Sequence, residues 1–454
     1  NKQSGKFPSR QRCLFPTFNR GCVHGCRGFS ALPAGNRNSG GSFNNQGNNA
    51  NFWSSTENGS NNAYNMNLNY DNDNANLNNN NKNNARSVRC LRDSGPFSLY
   101  EELFLAYRDA RRHKRNTVNQ LRFEMDLERN LVELCRDLQN RTYEISPAAC
   151  FVNEDPVKRE IVAADFRDRV VHHLLYNWIA PIFERQFIHD SYSCRKGKGT
   201  LFGINRARGF AMSESDSFRR ECFVLRLDIS GFFMNIDRQI LHSLVLAGLK
   251  KGRWRGVGDV ELAKYLVQKI IFHDPLENAR YKSPPAAWEG LPRNKSLRYS
   301  PPGKGLPIGN LTSQLFGNIY LNPLDHFVKR RLKIRHYGRY VDDMFFVSCD
   351  KERLKRVVDE VRSFLRDSLG LTLHPRKVYL QPLEHGFAFL GAYILPYRVY
   401  PGKRLVANYR DCLIHPVPDR VKQQGRVVSY MGTMRHYDAH RKVCLMLRDS
   451  HLIA

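Results

Sequence analysis

The sequence contains no run of about 18 apolar residues and no apolar leader of the signal-peptide kind, which argues against a membrane span and against secretion. It has eleven cysteines but no repeated CxxC pairs, and Cys22 and Cys26 find no matching Cys or His pair downstream at zinc-finger spacing. Free, mostly buried thiols in a reducing cytoplasm are the reading that follows. The first methionine is Met66, so the N-terminus reads as trimmed or as an unnatural start. Acidic residues are scarce, 43 against 71 Lys and Arg, and the formal charge is +28. Such an excess favours a polyanionic partner, nucleic acid first. Residues 94–454 hold 60 of the basic and 39 of the acidic residues, so most of the surplus lies in the C-terminal part.

Aliphatic residues are scarce between Asn36 and Asn84, where 22 of 49 residues are Asn. That stretch alone should not hold a core, and a largely disordered polar segment is one reading. Less biased fragments frame it, Gly28 to Gly35 before, Phe52 to Glu57 inside and Ser87 to Asp93 after, and these look like pieces of a real domain. Composition changes abruptly from Phe97, which places a boundary near residue 94. Leu99, Leu103, Ala106 and Tyr107 then recur at helical spacing, ahead of a basic run from Arg111 to Arg115. Amphipathic helices are predicted over 118–140 and 165–188, and further helices near 237–250, 259–272, 311–332 and 351–369. Short β-branched and aromatic runs predict strands at 222–229, 336–348 and 387–395. The fold class is mixed α/β (α+β) with an antiparallel sheet.

Two apolar strand patterns carry acidic residues at their ends. Phe223 to Ile229 reads as a buried strand bearing Asp228, and Arg339 to Val347 as a hairpin with Asp342 and Asp343 at its turn. Gathering carboxylates is costly unless a cation neutralises them, and hard divalent cations take oxygen ligands. A pair of Mg²⁺ ions, with Mn²⁺ as a substitute, is the natural occupant, and nucleotidyl transfer uses such a pair. Taken alone, Asp342-Asp343 is also ordinary turn chemistry.

Tyr340-Val341-Asp342-Asp343 resembles the catalytic motif of reverse transcriptases, and Asp228 with Phe232-Phe233 resembles their first palm motif. Arg159-Glu160-Ile161 and Ser193 to Thr200 look like the finger segments. Gly305 to Gln314 resembles the nucleotide- and template-binding block, Leu371 to Lys377 the block after it, and Phe389-Leu390-Gly391 the primer grip. The resemblance implies a right-hand polymerase copying RNA into cDNA from dNTPs: residues 94–221 as N-terminal helices and fingers, 222–400 as palm, 401–454 as a short basic thumb. It implies Asp228, Asp342 and Asp343 as catalytic and metal-holding positions, with Ile229 beside them. Arg159, Arg195, Lys196, Phe233, Ile308, Gly309, Gln314 and Lys377 are implied for nucleotide and template. Phe233 reads either as the gate under the sugar or as a core aromatic, Pro307 and Gly309 also as turn formers, and 429–437 either as a duplex grip or as a capping bundle.

Ile308 stands where many relatives carry Gln, and with Leu306, Pro307, Gly309 and Ser313-Gln314 it resembles the enzymes of diversity-generating retroelements. There an aliphatic residue accompanies errors at template adenines, as expected when no amide braces the nascent pair. Every Asn codon begins with two adenines, so residues 1–93 resemble a translated template repeat, with frames like those of C-type-lectin-like variable domains. The same resemblance implies bacterial or phage coding, the template RNA and primer as partners, and a basic ring-forming accessory protein. A retron-like or group II intron-like enzyme, or an idle RNA-binding scaffold, is the alternative.

Overall fold

The computed structural model describes residues 36–38, 40–44, 48–57, 60–69, 75–84, 98–112, 117–154, 157–252, 254 and 258–449. The chain divides into two compact units, Asn1–Gly95 and Pro96–Ala454.

In the first unit, the segment whose composition argues against a fixed fold forms an antiparallel meander of Asn49–Glu57, Asn62–Asn69 and Ala75–Asn81. The expectation of a largely disordered segment is corrected for these residues. The reason is the period of the sequence: Asn alternates with other residues along the strands. One rung carries Phe52, Met66 and Leu77, and the next carries Asn51, Asn67 and Asn76. The amide of Asn67 donates to the Asn51 Oδ1 at 2.8 Å, so amides opposite one another supply cross-strand bonds. Of the framing fragments, 28–35 and 87–93 lie outside the described residues.

The second unit is the mixed α/β fold expected, with sheets that are antiparallel apart from one short parallel pairing. Helices begin where the sequence supplies caps. Ser98 and Glu101 form a capping box at Leu99–Arg111, and Asp237, Asp259, Asp350 and Asp419 accept from first-turn amides of the helices that follow them. Lys351–Leu369 ends at Gly370, whose φ of +58° suits glycine. The expected helix over 118–140 breaks into Val118–Glu124 and Leu127–Gln139, and 165–188 is realised as Phe166–Glu184.

At the centre lies a four-stranded antiparallel sheet in the spatial order His336–Tyr340, Asp343–Ser348, Phe223–Ile229, Leu373–Pro382. Phe223–Ile229 is flanked on both sides, and its apolar residues are buried while Arg226 and Asp228, which interrupt them, stay partly exposed. A large core joins this sheet to the helices Leu99–Arg111, Phe166–Glu184, Leu311–His326 and Lys351–Leu369. A second cluster holds Phe345 and Phe389 against Tyr192 and Phe210. One position beyond the Phe223 and Ser348 pair, Cys222 and Cys349 form a disulfide. That corrects the reading of free thiols for this pair; their separation of 127 residues hid it.

The last three helices, Lys403–Ile414, Arg420–Met434 and His440–Asp449, form a cluster of their own around Tyr409, Leu413, Met434 and Leu447. No helix among the described residues is long and apolar enough to cross a membrane.

Candidate active site

The central sheet delivers the three aspartates to one edge. Asp228 sits one residue before the end of its strand, and Asp343 opens the next strand, where it pairs with Tyr340 across the turn. Met344 is paired with Leu227, which puts Asp343 beside Asp228. Lys377, from the strand on the other side, donates to Asp228 Oδ2 at 2.9 Å, and Arg226 reaches Asp343 Oδ1 at 3.4 Å. Burial, then the charges of Asp228 and Asp343, push the Asp342 carboxyl up to about 6. Burial also raises Asp343, against the pull of Arg226.

Hard oxygen donors crowded until burial and mutual repulsion raise the carboxyl of one of them are a donor set suited to a divalent cation. Among the described residues no three His, Cys, Asp or Glu side chains already form a metal cage; two of the carboxylates rest on cations of the chain instead. The side chain of Ile229 is buried in the core. An alkyl group offers no ligand, so a contribution from that position would have to come from its backbone carbonyl.

The turn itself is held from behind. Val341 has a φ of +54°, a conformation a β-branched residue adopts at a cost. Its carbonyl accepts from Arg339 Nη1 at 2.8 Å. Arg339 is fully buried and bonds Asp325 through two parallel contacts, Nε to Oδ1 at 2.8 Å and Nη2 to Oδ2 at 2.7 Å. Its backbone is stitched to the loop that follows Phe166–Glu184, Arg339 N to Asp190 O at 2.9 Å and Tyr192 N to Arg339 O at 3.0 Å. Sequence reasoning passed over Arg339 and Asp325. The available signal was two charges inside otherwise apolar patterns, which survive burial only as a pair.

Other expected residues separate into those that face the site and those that do not. Arg159 is exposed on the strand Arg159–Ala163. The 305–310 loop joins that strand to the short helix Phe232–Asn235: Val162 N donates to Ile308 O at 2.9 Å, Ala164 N to Asn310 Oδ1 at 3.0 Å and Leu306 N to Phe233 O at 2.8 Å. Gly309, at φ +131°, leaves no room for a Cβ, which would lie 3.2 Å from Ile161 and from the Val162 carbonyl. Phe233 packs on Phe232, 5.1 Å between ring centres, and against Gly317. Gln314 is exposed on its helix.

Arg195 departs from expectation. Its guanidinium is bound to Glu184 at 2.7–3.0 Å and to the carbonyls of Ile188 and Ser191 at 2.6 and 2.8 Å, and only 5% of the side chain is exposed. It braces the loop that follows Phe166–Glu184, with four of its five N–H donors engaged, while Lys196 beside it is exposed. Phe389 packs in the second core 4.7 Å from Phe345, and Leu390 and Gly391 make the following turn at positive φ.

Residues 155–394 match the family model described as reverse transcriptase (RNA-dependent DNA polymerase). Residues 23–92 match one described as the Fibrobacter succinogenes major domain. Among curated proteins, protein YkfC of Escherichia coli strain K12 is 23% identical over 274 residues, which are 53% of this chain and 64% of that protein. The chain thus spans just under two thirds of the length of that relative. Among solved structures, apo telomerase from Candida tropicalis, truncated from its C-terminal domain, superposes with a TM-score of 0.40 at 14% identity over 59% of each chain. Telomerase from Candida albicans in complex with a fragment of telomeric RNA does so with 0.38 at 11% identity, over 68% of this chain and 60% of that one.

Proposed function

From the premise that this chain belongs to the reverse transcriptase (RNA-dependent DNA polymerase) family, we propose that it copies an RNA template into cDNA by adding dNTPs to a primer. The observation that carries this reading is the meeting of Asp228, Asp342 and Asp343 at adjacent strand ends, with the Asp342 carboxyl pushed up to about 6 by burial and by the other two. Two Mg²⁺ ions, or Mn²⁺ in their place, would be held by these carboxylates and the Ile229 carbonyl. Bound there, such ions would activate the primer 3′-hydroxyl and stabilise the pyrophosphate that leaves.

The chain's own residues do the rest. Lys377, already on Asp228, is placed to hand its charge from the carboxylate to an incoming phosphate. Arg159 offers a second cation from the fingers. Ile308 and Gly309 form the surface on which the nascent pair would rest, and Phe233 the floor beneath the sugar.

The finer reading is error-prone synthesis on a template-repeat RNA, as in diversity-generating retroelements. Ile308 supports it, because an alkyl side chain cannot hydrogen-bond a correctly formed pair and so penalises a wrong one less. The Asn density of residues 36–84 supports it too, since it means an adenine-dense message beside the polymerase. In this reading residues 1–93 are a translated template repeat without a catalytic role, and a basic ring-forming accessory protein joins the RNA in the cytoplasm.

The test is primer extension by the full chain on an adenine-containing RNA with Mg²⁺ and dNTPs, sequencing the products beside an Asp342→Ala/Asp343→Ala control. Extension lost in the control, with errors concentrated opposite adenine, is the expected result. Faithful products would remove the retroelement reading, and no extension with the native RNA and accessory protein supplied would remove the polymerase reading.

A further inference from the structure

Between the helices Val260–Phe272 and Leu311–His326 lies a segment whose 3₁₀ turns are Pro285–Trp288, Arg293–Lys295 and Leu297–Tyr299. It is fastened at two points. The first is Glu160, next to Arg159 and only 1% exposed. Its carboxylate accepts from Trp288 Nε1 at 2.7 Å, Ser296 Oγ at 3.0 Å and Leu297 N at 2.7 Å. A buried carboxylate satisfied by three donors of one segment is a latch, because each of those bonds would be costly to leave unmade. The second point is Gly231, three residues after Asp228. Its φ is +54°, and a Cβ there would lie 3.1 Å from both the Cβ and the carbonyl oxygen of Asn294. The segment therefore lies against the turn that follows Asp228, as close as only glycine permits.

Asn294 rests on the Asp228 turn and Ser296 on the neighbour of Arg159, so the residue between them, Lys295, spans the gap from one to the other. Its side chain is half-buried. Burial, then the like charges of Arg159 and Lys377, hold its ammonium below the usual lysine range. Lys295, Arg159 and Lys377 thus lie near enough to repel one another, and Lys377 is the one bonded to Asp228; a dense anion would relieve that repulsion. A nucleic-acid strand spaces its phosphates one to a nucleotide, whereas a triphosphate packs three together, which suits cations converging on one point.

We infer that Lys295 is a third cation, with Arg159 and Lys377, of a cradle for the triphosphate of the incoming dNTP, and that the Glu160 latch delivers it. This rests on the polymerase reading above for the identity of the nucleotide. The segment is then part of the active site, and Gly231 and Glu160 are its positioning residues.

The experiment measures equilibrium binding of dGTP by calorimetry to the full chain, loaded with a primer–template whose primer lacks its 3′-hydroxyl. Wild type is compared with Lys295→Gln, Lys295→Arg and Arg293→Gln. Arg293 lies two residues away and stacks over Tyr299 at 5.1 Å, so it controls for loss of charge in the same segment. Lys295→Gln is expected to weaken dGTP about tenfold, the lower end for a charge-assisted contact that keeps some water. Lys295→Arg should restore most of the affinity, and Arg293→Gln should leave it within about twofold. Equal dGTP affinity in wild type and Lys295→Gln overturns the inference, as does equal weakening by Arg293→Gln or no dGTP binding by wild type. Weaker primer–template binding in its place would also overturn it, assigning Lys295 to the template. Extension by the wild type on an ordinary primer tests the polymerase reading separately: dGTP binding lost with Lys295 but no extension would sink that reading and leave the triphosphate site.

Discussion

Replacing Arg339 separates two things that this side chain does, and the structure sets the size of each. Arg339 and Asp325 are both fully buried, and Asp325 also accepts from Tyr337 Oη at 2.7 Å. Arg339→Met leaves a carboxylate in the core with that one neutral donor, which should cost about 3–5 kcal/mol of unfolding free energy. Replacing both, Arg339→Met with Asp325→Leu, removes the stranded charge, and such swaps are often neutral or better. Stability should therefore return to within about 1–2 kcal/mol of wild type, the remainder being the Tyr337 hydroxyl left without its acceptor and the Ser191, Asn318 and Val341 oxygens left without Arg339. The turn does not recover, because the bond from Nη1 to the Val341 carbonyl is gone and Val341 still needs a φ of +54° to aim Asp342 and Asp343. A charged hydrogen bond of this kind is worth about 1.5–3 kcal/mol. Spent on holding the carboxylates in place, that is a loss of about 10–100-fold in kcat for primer extension. Urea unfolding and steady-state extension on one template read the two effects side by side. A double variant that regains both stability and kcat would refute the clamp and leave a buried ion pair with no bearing on the turn. KM for dNTP should stay near wild type, since the clamp touches no nucleotide.

Arg195→Ala should destabilise the protein by about 2–3 kcal/mol in urea unfolding, through lost bonds to Glu184, Ile188 and Ser191, whereas Lys196→Ala should leave stability unchanged within about 0.5 kcal/mol. His172 is buried, bonded to Thr312 at 2.7 Å, and burial lowers its pKa to about 3. The folded state therefore keeps it neutral while the unfolded chain takes up a proton below about 6.5. Its share of stability is complete above that pH and falls by about 1.4 kcal/mol per unit as the pH drops toward 3. Asp168, pushed up to about 6 by burial, acts in the opposite sense between about 6 and 4, so the comparison is His172→Asn against wild type: the variant's unfolding midpoint should fall less between pH 7 and 5. Ile308→Gln should lower the error rate opposite template adenine in sequenced products, and an unchanged error spectrum would remove Ile308 from nucleotide choice. Glu160→Ala should raise KM for dNTP without touching any nucleotide itself, and an unchanged KM would show that the segment stays in place without its latch.

The sequence alone determined the elements and the acids. Strand and helix periods placed Phe223–Ile229, the His336–Ser348 hairpin and Lys351–Leu369 within a residue or two, because each buries a face whose spacing is written locally. Asp228, Asp342 and Asp343 were legible because acids at the ends of apolar runs stand out from their neighbours. Tertiary structure decided what the cations do, since a basic residue looks the same in sequence whether it meets water, a carboxylate or a phosphate. It turned Arg195 inward onto Glu184, set Arg339 on Asp325 beneath the Asp342-Asp343 turn, laid Lys377 on Asp228, and brought Asn294, the neighbour of Lys295, onto Gly231 from far along the chain. It also paired Cys222 with Cys349 and gave the Asn-rich stretch a strand register, for which composition offered no partner. None of these pairings is written in local sequence spacing, and only the packed core fixes which residues become neighbours.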